Sequence, residues 1–136
     1  MKYYSDLKYQ LAEDHFHAIT DIRIIPINDI ETKFVNLSAT GKLVIKAGFA
    51  WDGPSGPTRD TKSNMRAALV HDAIYYLIRQ EMIPHSSWRY ADQEFELICK
   101  EDNMNSFRLW YYMIGLNAAN GRAALPKNKR KVHEIK

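Results

Sequence analysis

Apolar residues recur at Ala67, Val70, Ile74, Leu77 and Ile78. That is the spacing of one helical face, and it predicts a helix over about residues 65–81. His71 falls inside the stripe, while Asp72, turned by about 100° at ~3.6 residues per turn, falls on its flank with Leu69 and Tyr76. A second helix, about residues 87–100, carries Trp88, Ala91, Phe95, Ile98 and Cys99 on one face, with Asp92 in the middle of that row. A third, about residues 106–120, has Phe107, Trp110, Tyr111, Ile114 and Ala118 at helical spacing and stops at Gly121, a residue type that commonly ends helices. This aromatic stripe is read as core; exposure of Trp110 and Tyr111 would instead make an apolar rim. Upstream, from residue 21 to 51, the pattern is that of strands. Ile22, Ile24 and Ile27 alternate with polar residues, and residues 32–37 and 43–49 are β-rich, joined by Ser38-Ala39-Thr40-Gly41 as a hairpin turn. Pro26 suits an edge or a strand end. The expected architecture is α+β, a small N-terminal antiparallel sheet followed by three main helices, the first two antiparallel.

Two of these apolar rows contain a group that does not belong there. A carboxylate or imidazole buried alone costs several kcal/mol, so Asp92 and His71 are expected to meet between the first two helices. The short connection Met82-Ile83-Pro84-His85-Ser86 allows that pairing. The contact would fix the imidazole tautomer and leave the other ring nitrogen able to accept a proton. Tyr75, one turn after His71, could donate its hydroxyl to the same carboxylate. Asp72 is left beside the dyad as a candidate metal ligand, and Asp52, in the punctuated loop Trp51-Asp52-Gly53-Pro54-Ser55-Gly56-Pro57, as a second. Blander readings stand beside these: a His–Asp pair between helices is often only a satisfied polar contact, and Asp-Gly is a common turn dipeptide. His15 and His17, two apart, would share one face of a strand and are read as surface residues. Asp60, Thr61 or Ser63 can cap the first helix, and Arg59, Lys62 and Arg66 at that end are read as a solvated basic cluster.

The order Trp51-Asp52-Gly53, His71-Asp72-x-x-Tyr75, Arg89-x-x-Asp92-x-x-Phe95 and Trp110-Tyr111-Tyr112 resembles a family of phage and prophage proteins of unknown function. That family carries a Gly-Phe-x-x-Asp-Gly-x-Ser loop and a His-Asp-x-x-Tyr helix. The likeness covers roughly residues 47–122. More distantly, the same order is similar to the bacterial phospholipase A2 enzymes. That resemblance implies a calcium-dependent ester hydrolase in which His71 activates a water, Asp92 and Tyr75 orient His71, and Asp72, Asp52 and the carbonyl near Gly53 hold Ca2+. The departures are concrete: a single cysteine, Cys99, against the disulfide-stapled secreted enzymes, and Arg89 one residue further from the aspartate than in the bacterial ones. Nothing here matches the Cys-rich calcium loop of the animal enzymes.

At 136 residues and 46% apolar content, the chain is expected to form one domain over residues 1–122, β-rich to residue 51. Residues 123–136, with the run Lys127-Asn128-Lys129-Arg130-Lys131, form a basic tail suited to an anionic surface or a partner. One cysteine excludes an internal disulfide. No signal-peptide pattern opens the sequence and no apolar run is long enough for a bilayer, so host cytoplasm or a virion is the expected location. The net charge of +3 adds little. Three functions compete. One is the phospholipase-like hydrolase, acting on a phospholipid or another ester. The second is a non-enzymatic structural or adaptor component of a phage particle, binding phage structural proteins. The third, a metal phosphohydrolase of the His-Asp type, ranks last because it needs an upstream helical histidine and His15 and His17 lie in a non-helical region.

Overall fold

A computed structural model describes residues 3–5, 9–51, 62–119 and 121–125. The fold is mixed α+β, with small antiparallel sheets in the N-terminal half and three helices after them. Strands β1 (Tyr3–Ser5), β2 (Tyr9–Leu11) and β7 (Ala50–Trp51) form one sheet in the order β1-β2-β7. Strands β3 (His15–Ala18), β4 (Ile30–Glu31), β5 (Val35–Leu37) and β6 (Lys42–Ile45) form the other, in the order β3-β6-β5-β4. The single expected sheet is therefore two. The β5–β6 hairpin turns where the sequence says, through Ser38 to Gly41, with Gly41 at φ 90°. A side chain there would collide with the Ile19 carbonyl, 2.8 Å from a Cβ.

No strand runs through Ile22, Ile24 and Ile27. Asp21 accepts from the Arg23 backbone N–H (2.9 Å), and the Ile24 N–H donates to the Asp21 carbonyl (3.0 Å), closing a turn. Ile24 is buried by it, but Ile22 and Ile27 are 81% and 94% exposed. Local hydrogen bonding by an aspartate thus overrides an alternating apolar pattern.

Helix α1 (Lys62–Arg79) is the central element. Every residue from Ala67 to Arg79 except Asp72 is buried, so this helix is enclosed on all sides rather than amphipathic. The inward faces of the second sheet supply Val35, Leu37, Leu43 and Ile45, all fully buried. Helix α2 (Trp88–Glu101) runs antiparallel to α1: Arg66 near the start of α1 bonds Glu101, the last residue of α2, and Asp102 just beyond it, while Tyr75 reaches Asp92. Arg66 is thereby paired at 3.0 Å with Asp102 and 2.9 Å with Glu101, not a loose member of a basic cluster. Both helices end alike, with Glu81 and Asn103 in the left-handed region and the next N–H reaching back five residues, Met82 to Leu77 and Met104 to Cys99, each at 2.9 Å. A 3-10 turn, His85–Ser87, makes the short connection.

Helix α3 (Ser106–Ala119) departs from expectation. The stripe read as core, Phe107, Trp110, Tyr111 and Ile114, is 72%, 59%, 44% and 50% exposed. The helix packs instead by Leu109 and Tyr112, with Met113 and Leu116 half-buried. Two apolar faces exist on this helix, and periodicity alone does not say which turns inward. The expected basic tail, residues 123–136, begins too early: Ala124 is fully buried in a 3-10 turn against the body, and residues 126–136 lie outside the described residues.

Candidate functional site

His71 and Asp92 meet between α1 and α2 as their misplaced polarity requires. His71 Nε2 lies 2.6 Å from Asp92 Oδ1, and the Tyr75 hydroxyl donates to the same oxygen at 2.8 Å. The spacing in sequence explains the convergence: His71 and Tyr75 are one turn apart on α1, so both side chains can address one point on the facing helix. Because Asp92 Oδ1 serves as acceptor for both, the imidazole proton sits on Nε2 and Nδ1 carries the lone pair. The His71 ring is held between Tyr75, whose centroid is 4.1 Å away, and the edge of Phe95 at 5.6 Å. Phe95 in turn packs on Tyr112 of α3 at 5.2 Å, so all three helices brace the imidazole.

Exposure divides the pair into an inner and an outer member. The Asp92 side chain is 3% exposed and that of His71 11%, so the histidine is the group with a route to solvent. Asp92 Oδ2 is buried and has no hydrogen-bond partner among the described residues. An unsatisfied buried acceptor costs about 1–3 kcal/mol, which marks this as an arrangement kept at some expense of stability. Burial, then the neighbouring Asp92 carboxylate, raises the Tyr75 phenol well above its ordinary value, so Tyr75 stays a protonated donor at any working pH.

Asp72 is half-buried on α1, next to His71 in the chain, and is engaged in an interaction of its own. Asp52 and Gly53 lie outside the described residues. β7 carries the chain only as far as the fully buried Trp51, which stacks on Tyr9 with centroids 5.5 Å apart. Among the described residues no group of three or more His, Cys, Asp or Glu side chains is placed to hold a metal ion. The donor set that the resemblance assigns, two carboxylates and a peptide carbonyl, is chemically suited to a hard cation that takes oxygen ligands.

A second polar group was not anticipated. His15 and His17 project inward from β3 rather than outward to solvent. His17 Nε2 lies 3.1 Å from Glu94 Oε2, and Thr20 Oγ1 donates to Glu94 Oε1 at 3.4 Å. Glu94 is 3% exposed, on the side of α2 that faces β3. His15 Nε2 is buried without a hydrogen-bond partner among the described residues, and burial, reinforced by His17 and Arg66, lowers its pKa from 6.5 to about 4. Arg79 is also buried, one turn beyond Tyr75, where its charge opposes the rise in the phenol's pKa. The signals existed: Glu94 lies three residues after Ala91 and four before Ile98, on the apolar row itself, and Arg79 extends the His71, Tyr75 series.

Compared with known proteins, the chain matches no family model, no curated protein and no solved structure.

Proposed function

We propose that the protein is a phage-encoded, calcium-dependent, phospholipase A2-like ester hydrolase with His71 as its general base. One observation carries the reading: the 2.6 Å contact of His71 Nε2 with a buried carboxylate, which leaves Nδ1 as the basic nitrogen on the more exposed member of the pair. The phage and phospholipase resemblances of the sequence support the choice of reaction.

In this mechanism a water donates a proton to His71 Nδ1 as its oxygen attacks the ester carbonyl carbon. Asp92 stabilises the imidazolium that forms, and Tyr75 fixes the carboxylate. When the tetrahedral intermediate collapses, the ester C–O bond breaks and the Nδ1 proton passes to the leaving alkoxide, giving a carboxylic acid and an alcohol. No covalent enzyme intermediate is involved. Calcium held by Asp72, Asp52 and the Gly53 carbonyl would supply polarisation of the carbonyl and charge compensation for the oxyanion.

The test is hydrolysis of phospholipid in mixed micelles with calcium present. Wild-type protein is expected to release fatty acid, with His71→Ala and Asp92→Asn each slowed by about 10²–10⁴-fold, the usual worth of a positioned general base. Asp72→Asn is expected to weaken calcium binding, so that the rate falls and more calcium is needed to reach it. Rates in both dyad variants equal to wild type, or no hydrolysis by any of them, would return the dyad to a purely structural contact.

A further inference from the structure

Helix α3 carries four aromatic side chains, Phe107, Trp110, Tyr111 and Tyr112, and turns only the last inward. Tyr112 is 6% exposed and meets Phe95 of α2, which is 3% exposed and meets His71. It stands one side chain away from the imidazole, in a place the acid–base chemistry does not use. What it does there follows from how little the contact with Asp92 fixes. The Cγ end of the His71 ring is held by α1 and the Nε2 end by Asp92 Oδ1, the single hydrogen bond the imidazole makes among the described residues. The ring can still rock about the line joining these two ends, because the outer torsion of a histidine is soft. Nδ1 lies off that line, so rocking re-aims its lone pair while the hydrogen bond survives. Packing has to set the angle. Among the described residues two rings flank the imidazole, Tyr75 tilted by 35° and Phe95 at 75°. Tyr75 is pinned by its own hydroxyl on Asp92 Oδ1. Phe95 has no polar atom to pin it, and its outer torsion is equally soft. Its angle is set by the ring that backs it, Tyr112, 5.2 Å away at 44°, a separation at which aromatic rings prefer particular tilts.

We propose that Tyr112, acting through Phe95, is a positioning residue that sets the direction of the His71 Nδ1 lone pair. Helix α3 is thereby coupled to the base without touching it. The kinetic consequence rests on the hydrolytic reading; the ring angle does not. A base displaced by about 1 Å is expected to cost up to about a hundredfold in turnover. Substrate affinity is expected to hold, because Tyr112 is buried and separated from the imidazole by Phe95.

The experiment follows the carbon-bound ring protons of His71 by NMR of the full chain at neutral pH, each variant below its thermal midpoint. In Tyr112→Leu these protons are expected to shift, as the ring currents of Phe95 and Tyr75 reach them at a new angle, while the nitrogen-bound proton stays on Nε2. Tyr112→Phe keeps the ring and is expected to keep the wild-type shifts. Leu43→Ala, at a fully buried position of the second sheet, controls for lost stability alone and is expected to leave them unmoved. Phe95→Leu removes the link itself, and the double variant Phe95→Leu/Tyr112→Leu is expected to go no further than Phe95→Leu, because residues acting in series are not additive. In phospholipid hydrolysis Tyr112→Leu is expected to lose about ten- to a hundredfold in kcat at constant KM, with Tyr112→Phe equal to wild type. The proposal is overturned by unmoved ring protons in Tyr112→Leu, by equal shifts in Leu43→Ala, by failure of Tyr112→Phe to keep the wild-type shifts, or by additive effects in the double variant. With an active wild type, an unchanged kcat in Tyr112→Leu also overturns it. A wild type without turnover, whose ring protons nonetheless respond to Tyr112 as described, would sink the hydrolytic reading and leave the positioning role standing.

Discussion

At the scale of single residues, one buried oxygen organises the site: Asp92 Oδ1 accepts from both His71 and Tyr75. These three were legible because each breaks an apolar rhythm or sits one turn from a residue that does, and a buried charge has few ways to be satisfied. His17 was not read as buried, since nothing local to β3 shows which of its faces turns inward; Glu94 and Arg79 lie on the apolar rows of α2 and α1, where the pattern did mark them, and were passed over. His15 supplies a pH prediction at this scale. Its pKa is about 4 folded and near 6.5 unfolded, so between those values the unfolded chain binds more protons and stability falls as pH falls. The contribution is complete above pH 6.5 and is lost down to about 4. Allowing for partial exposure, it is worth about 1–2 kcal/mol. Urea unfolding of wild type and His15→Val from pH 7 to 4 is expected to show a shallower decline in the variant. Parallel curves would contradict the assignment.

At the scale of elements, the helices were visible to within a few residues, because thirteen or more positions of consistent period outweigh local detail. Of the strands, the β5–β6 hairpin was visible, but β1, β2 and β3, three or four residues long, were not, and the turn at Asp21 interrupts what alternation suggested. The faces of α3 were assigned the wrong way round, because both are apolar and partners across the fold, not periodicity, choose between them. Gly121 shows how tightly the end of α3 is returned to the body. It adopts φ 70°, and a Cβ would stand 2.3 Å from Cγ of Trp88. It also opens the 3-10 turn Arg122–Ala124 that buries Ala124. Gly121→Ala is expected to lower stability by about 1–3 kcal/mol through ring displacement and backbone strain. A thermal melt at unchanged midpoint would show that Trp88 yields freely.

At the scale of the whole molecule, α1 is the axis: the second sheet, α2 and the turn after α3 all pack on it, and its enclosure buries the dyad except for the outer edge of His71. None of the helices among the described residues is long and apolar enough to cross a membrane. The architecture was legible as α+β, but its division into two sheets was not, because pairing β2 with β7 depends on contacts some forty residues apart. The dyad is a product of that assembly. His71 and Asp92 meet only when α1 and α2 dock, and in an unfolded chain the imidazole is free to exchange tautomers. Nitrogen-15 NMR of the histidine side chains in the folded protein at neutral pH therefore tests the central claim most directly. The account predicts that the neutral His71 ring carries its proton on Nε2, with Nδ1 unprotonated, and that Asp92→Asn weakens this preference. A proton on Nδ1, or a tautomer mixture unchanged in the variant, would contradict it.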